Sequence, residues 1–257
     1  MPATITSAAN PLLKDVRRAI ARNGITAGGL CVAEGLHLLE EAIGSGCEVA
    51  HVLAAESAEA EAQRVARRRV TVLPESLFRT IATTETSQGV VSLVRPPEWT
   101  IDDLFRGSPL VVVLDGVQDP GNAGAIVRAA EAFEATGVLF VKGSASPLNP
   151  KALRASTGSA FRVPWVAGVD AEAVRMACER HRVIRLAAVP SAGRRPADTR
   201  YSDPCALIIG SEGRGVSAEL RDGATEVSIP TARVESLNAA MAAGILLYEI
   251  RRQRSES

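Results

Sequence analysis

From residue 109 onward, short runs of branched apolar residues alternate with segments whose apolar positions recur at helical spacing, and this alternation constrains the fold more than any single motif does. LVVVLDG (110–116) reads as a buried strand, NAGAIVRAAEAFEA (122–135) as a helix and GVLFV (137–141) as a second strand. Together they predict a βαβ unit. A short helix within PLNPKALRASTGS, the strand RVPWVAG, the helix DAEAVRMACERH (170–181) and the strands VIRLAAV (183–189) and CALIIG (205–210) follow, before TEVSIP (225–230) leads into a long closing helix. Strands alternating with helices imply an α/β fold with a mostly parallel sheet. In the closing helix, Ala239, Ala243 and Gly244 are small enough to let another backbone approach closely.

The first part of the chain shows its own alternation. Asn10 and Pro11 supply a cap and a first helical residue for the helix 10–22, followed by a strand at 30–35, a helix at 37–46, a strand at 48–54, a helix at 58–69 and a last strand within 89–97. Pro96 and Pro97 then introduce a polar stretch. These signals predict a domain at 1–97, a linker at 98–108 and a second domain at 109–257. A length of 257 residues fits two modest domains, and 46% hydrophobic residues are enough for a sizeable core.

Charge and composition exclude several functions. The 29 Lys and Arg balance 29 Asp and Glu, so any nucleic-acid site must be local. Three of those cations are lysines (Lys14, Lys142, Lys151), which leaves 26 arginines. Arginines cluster at 64–69, at 194–200 and at 251–254, which predicts a substrate chosen by shape and a few placed cations, with a shallow salt dependence. No apolar run reaches membrane-spanning length, so no membrane association is expected. Cys31, Cys47, Cys178 and Cys205 are widely spaced and no histidine stands at ligand spacing beside them, so no metal is expected; MPATITSAANPLLKDVRR lacks the apolar core of a secretory signal, so the thiols are expected to stay reduced in a cytoplasm.

In open parallel sheets the ligand crevice lies beyond the carboxyl ends of the strands. Three loops there are unusual. Asp119-Pro120-Gly121-Asn122-Ala123-Gly124 runs into a helix that Asn122 could cap and that carries Arg128, within reach of a phosphate at the same mouth. Ile209 to Ala218 contains Gly213-x-Gly215-x-x-Ala218, superficially a dinucleotide fingerprint. Glu212, however, puts a carboxylate where a pyrophosphate would sit, and the segment is too short for the usual βαβ unit. A carboxylate suits instead a positively charged ligand without phosphates, such as the sulfonium and ammonium groups of S-adenosylmethionine. Ile229 to Asn238 leaves a strand through several polar side chains, of which Ser236 or Asn238 could cap the last helix.

Taken in order, Asn122-x-Gly124-x-x-x-Arg128, Ile209-Gly210-Ser211-Glu212-Gly213-x-Gly215 and Ile229-Pro230 followed by Glu235-Ser236-Leu237-Asn238 resemble the three motifs of the SpoU (TrmH) family of RNA 2′-O-ribose methyltransferases, over roughly residues 109–252. ITSAANPLLKDVRRA and CVAEGLHLLEEAI also resemble the small RNA-binding α/β domain, related to ribosomal proteins, that often precedes the catalytic domain. The resemblance implies a SPOUT-type catalytic domain whose parallel sheet is threaded into a trefoil knot, and a homodimer formed through the C-terminal domain. It implies S-adenosylmethionine as cofactor, held by Gly210, Ile229 and Leu237 with Leu186 as a further contact. Arg128 is the first choice for the catalytic group, gripping a phosphate and steadying the developing alkoxide, with Asn122, Glu212, Ser236 and Asn238 around it. Arg154, in KALRASTG, matches a further family arginine and is expected to touch RNA. Ser211 departs from the Asn that many relatives have there.

The resemblance favours ribosomal RNA over transfer RNA as substrate, because of the extra N-terminal domain. A catalytically silent RNA-binding or ribosome-assembly protein of the same fold is the alternative, against which the intact Arg128, Glu212, Ser236 and Asn238 argue. A nicotinamide-dependent oxidoreductase fails on Glu212 and loop length.

Overall fold

The computed structural model describes residues 3–22, 24–201 and 204–256. Its contacts divide the chain into two compact units, residues 1–98 with 148–162 and residues 99–147 with 163–257.

The first unit is built on a five-stranded sheet. Its elements are β1 (Ala3–Thr4), α1 (Pro11–Ala21), β2 (Cys31–Glu34), α2 (Leu36–Gly44), β3 (Val49–Ala55), α3 (Glu59–Ala66), β4 (Thr71–Leu73), α4 (Glu75–Phe78) and β5 (Val90–Val94). The strand order is β1-β4-β3-β5-β2, with β1, β4 and β3 parallel and β5 antiparallel to both of its neighbours. The side-chain alternation of β3 explains the layering. Leu53 and Ala55 pack with Leu13 and Val16 of α1, while Val52 and Ala54 pack with Leu39 of α2 and Ala62 of α3. Asn10 accepts from the Leu12 amide at 2.9 Å, and Pro11 at the first helical position needs no partner for a missing N–H.

The second unit is a six-stranded, wholly parallel sheet. The chain lays down β6 (Leu110–Asp115), α5 (Pro120–Ala132) and β7 (Gly137–Val141), contributes α6 (Pro150–Ser156) to the first unit, and continues as β8 (Trp165–Val169), α7 (Ala171–Arg180), β9 (Ile184–Ala188), β10 (Cys205–Gly210), α8 (Ala218–Arg221), β11 (Thr225–Val227) and α9 (Ala239–Ser255). Strand order is β11-β9-β10-β6-β7-β8. The chain therefore runs outward from β6 to β8, jumps back to β9, and fills the slot between β9 and β6 with β10. That reversal creates a switch point at the carboxyl ends of β6 and β10, where Gly210 pairs with Asp115.

Val111, Val113, Leu139, Ala206 and Ile208 form the core on one face, covered by Val174, Ala177 and Cys178 of α7. Residues 101–105 add Leu104 and Phe105 to the same core as a short 3-10 turn whose start is closed by reciprocal bonds between Thr100 and Asp103. α5 and α9 pack against one another, and Phe133 meets Tyr248 edge to face at 5.9 Å.

Candidate functional site

The site begins with a glycine that nothing else could replace. A Cβ on Gly210 would stand 2.0 Å from the Gly215 carbonyl carbon and 2.2 Å from the Val216 nitrogen, so the loop after β10 folds back directly over the strand end. Gly215 (φ +68°) makes the return, and its amide donates to the Ser211 carbonyl at 2.8 Å. The Ser211 hydroxyl accepts from the Arg214 amide at 3.3 Å. Asp115, at the end of β6, accepts from the Ser217 amide at 2.6 Å and ties the far side of the loop down. Only the four residues of α8 follow before β11, too few for the crossover helix of a dinucleotide-binding unit.

This loop forms one wall of a cavity of about 300 Å³, at the small end of the range for ligand sites. Gly210, Ile229 and Leu237 line it, as do Glu212 and Ser236. Leu186 does not. It lies wholly buried in the middle of β9, paired with Leu207 and Thr225, and the chain reaches the cavity only with Ala188, Val189 and Pro190. Strand end, not apolar character, decides which residue of this segment lines the cavity. Arg214 also lines the cavity, at the position the sequence motif leaves open between its two glycines.

Asn122 and Asn238 stand outside the walls and are linked to them. The Asn122 side-chain amide donates to Glu212, and the Asn238 amide donates to the Asn122 carbonyl oxygen at 3.0 Å. Asn238 Oδ1 meanwhile accepts from the amides of Ala240 (2.9 Å) and Met241 (3.2 Å), which caps α9. One chain of side-chain amides thus joins the loop after β10, the first turn of α5 and the start of α9.

Asn122 is free for this role because it does not cap α5. The cap is Asp119, whose carboxylate accepts from the Asn122 amide at 2.9 Å, and Pro120 opens the helix. The expectation that Asn122 is the cap is corrected by this three-residue offset. Arg128, further along α5, is exposed and makes no ion pair or hydrogen bond among the described residues.

Arg154, the expected RNA contact, has polar partners within its own unit. Within the first unit its guanidinium lies 3.7 Å from the Glu34 carboxylate and donates to the Thr83 hydroxyl. Glu34 is only 3% exposed and also accepts from the Thr83 amide at 2.7 Å, the Thr84 hydroxyl at 2.9 Å and the Thr83 hydroxyl. A buried carboxylate needs such partners, and Arg154 is its cation. The C-terminal arginines are likewise engaged. Arg251 pairs with Glu134, Arg252 with Glu249 and Glu256, and Arg254 donates to the carbonyls of Tyr201 and Pro109. Among the described residues there is no group of three or more His, Cys, Asp or Glu side chains able to hold a metal ion, and no helix long and apolar enough to cross a membrane.

The chain is similar to known proteins over nearly its whole length. Residues 109–248 match the model of the SpoU rRNA Methylase family, and residues 10–92 match that of the MRM3-like substrate binding domain. An uncharacterized tRNA/rRNA methyltransferase of Synechocystis sp. is 33% identical, covering 98% of this chain and 94% of its own. The 23S rRNA (guanosine(2553)-2′-O)-methyltransferase RlmP of Bacillus subtilis is 31% identical, over 96% of this chain and 98% of its own. Among solved structures, the SpoU methyltransferase AviRb of Streptomyces viridochromogenes in complex with its cofactor AdoMet superposes with a TM-score of 0.87 at 29% identity, covering 96% of this chain and 99% of that one. With a family match over more than half its length and relatives aligned almost end to end, this chain belongs to the SpoU rRNA methylase family.

Proposed function

We propose that this protein transfers a methyl group from S-adenosylmethionine to a ribose 2′-hydroxyl of RNA, with ribosomal RNA as the substrate class. The observation that carries the reading is the cavity at the β6/β10 switch point, joined through Glu212 to Asn122 and Asn238. The residues fit the cofactor. Ile209, Val189, Ile229 and Leu237 offer apolar walls to an adenine, Gly210 lets backbone come close, and Glu212 places a negative charge by a cationic ligand. Bound there, S-adenosylmethionine supplies a methyl group activated by its positive sulfur.

The chain's own residues position and polarise. Arg128 is a guanidinium without a partner among the described residues, and because arginine stays protonated it serves to grip a phosphate and stabilise a developing alkoxide, while the hydroxyl proton passes to solvent water. Asn122, fixed at both ends of its amide, holds the start of α5 and the Glu212 loop in register, so that orientation supplies much of the rate. Ser236 lies on the cavity wall beside Leu237.

In this reading residues 1–97 capture RNA, residues 109–257 form the knotted methyltransferase domain apart from the stretch 148–162 that packs within the first unit, and two copies pair through α9. Met241, Ile245 and Tyr248 follow one face of that helix and are 57%, 40% and 55% exposed, an apolar stripe of the kind a second copy covers. The relatives named for 23S rRNA favour ribosomal RNA over transfer RNA, and a ribosomal substrate goes with a cytoplasmic setting. Mapping 2′-O-methyl positions in RNA from cells with and without the protein tests the assignment. A single ribosomal position lost with the protein is expected, and an unchanged methylation map would refute it.

A further inference from the structure

We propose that Arg214 is the anchor for the α-carboxylate of the S-adenosyl amino acid, and that with Glu212 it reads the cofactor's zwitterionic end. The proposal rests on the cofactor reading of the cavity. Three charged side chains line that cavity, Glu212, Arg214 and Arg221. Arg221 is already neutralised by a forked pair with Glu226, its Nη2 donating to Oε2 at 3.0 Å. Glu212 takes a hydrogen bond from Asn122 and pairs with no cation among the described residues. Arg214 therefore stands as the cavity's one cation without an acidic partner among the described residues.

The loop keeps the two opposite charges apart. Arg214 and Glu212 flank Gly213 in a turn closed between Ser211 and Gly215, and no ion pair joins them. The Arg214 side chain runs instead toward the end of β6, where its Nη2 lies 4.0 Å from the point a Cβ on Gly116 would occupy. A carboxylate and a guanidinium presented by one turn, unpaired with each other, complement a ligand bearing an ammonium and a carboxylate on one carbon. The guanidinium fork suits that carboxylate geometrically, and a charge-assisted pair in a cavity is stronger than one in open water.

The test is calorimetric and needs no turnover. S-adenosylhomocysteine and its decarboxylated counterpart, which keeps the thioether and the amine, are titrated into the full-length protein and into Arg214→Met and Arg214→Lys. Arg214→Met should weaken S-adenosylhomocysteine by about ten- to a hundredfold, the usual cost of a hydrogen-bonded charge. It should leave the decarboxylated compound unchanged, and Arg214→Lys should fall between the two. Unchanged binding of S-adenosylhomocysteine by Arg214→Met overturns the proposal, as does an equal loss for both compounds, which would mark a disturbed loop. Failure of the unsubstituted protein to bind either compound would overturn the cofactor reading itself, and this proposal with it.

Discussion

The Asn238 side-chain amide donates to the Asn122 carbonyl oxygen at 3.0 Å, joining residues 116 positions apart in the chain. Because Asn122 in turn donates to Glu212, it has both ends of its amide committed. Asn122→Asp removes the donor and sets one carboxylate against another. Methyl transfer should fall by about tenfold to a hundredfold as orientation is lost, while the unfolding free energy changes by about 1 kcal/mol or less at this part-exposed site. Steady-state rates and urea unfolding measure the two separately, and a large loss of stability with intact activity would contradict the positioning role.

Asn238 does two things that can be separated. Asn238→Ala removes the cap of α9 and should cost about 1 kcal/mol. Asn238→Ser restores a capping oxygen but has no amide to reach Asn122. Its stability should recover while activity stays low, a split visible by comparing melting curves with rates.

Substitution of Arg154 should produce a fault of stability rather than of RNA affinity. Arg154→Ala leaves the buried Glu34 carboxylate without its cation and should destabilise the protein by about 2 kcal/mol, less than a fully buried pair because the Arg154 side chain is 31% exposed. A double-mutant cycle with Glu34→Ala should show coupling of about 1 kcal/mol or more. Independent effects of the two substitutions, together with weakened RNA binding, would restore Arg154 as an RNA contact.

At the end of α9, hydrogen bonds from Arg252 and then Gln253 hold the Glu249 carboxyl down at about 2, below its ordinary 4.5. A depressed carboxyl contributes stability that is complete above its unfolded value and is lost as pH falls through the folded one. The stability difference between the unsubstituted protein and Glu249→Gln should therefore be largest above about pH 5 and shrink toward pH 2. Urea unfolding at several pH values checks the slope, and a difference independent of pH would contradict it.

Much of this architecture is legible in the residues. The runs at 110–115, 137–141 and 205–210 are strands, as their continuous apolar character requires in a sheet covered on both faces. The three loops that carry motifs do lie at carboxyl ends of strands. What the sequence hides is register over one to three residues. Asp119 and Asn122 are both good capping residues, and only the position of Pro120 in the helix shows which one caps. Leu186 and Val189 are both apolar, and only the end of β9 at Ala188 shows which approaches the cavity. The pairing of Arg154 with Glu34 spans 120 positions and follows from the fold, so no local pattern announces it. Likewise nothing in the periodicity of β5 says that it runs antiparallel to its neighbours.

The most direct test of the whole account is transfer itself. Purified protein, S-adenosylmethionine carrying a labelled methyl group, and ribosomal RNA or particles from cells lacking the protein are incubated, and the RNA is digested to nucleosides. The label should appear in one 2′-O-methylated nucleoside and should disappear with Arg128→Ala, although that variant still binds S-adenosylhomocysteine. Label on a base, or full transfer by Arg128→Ala, would contradict the account.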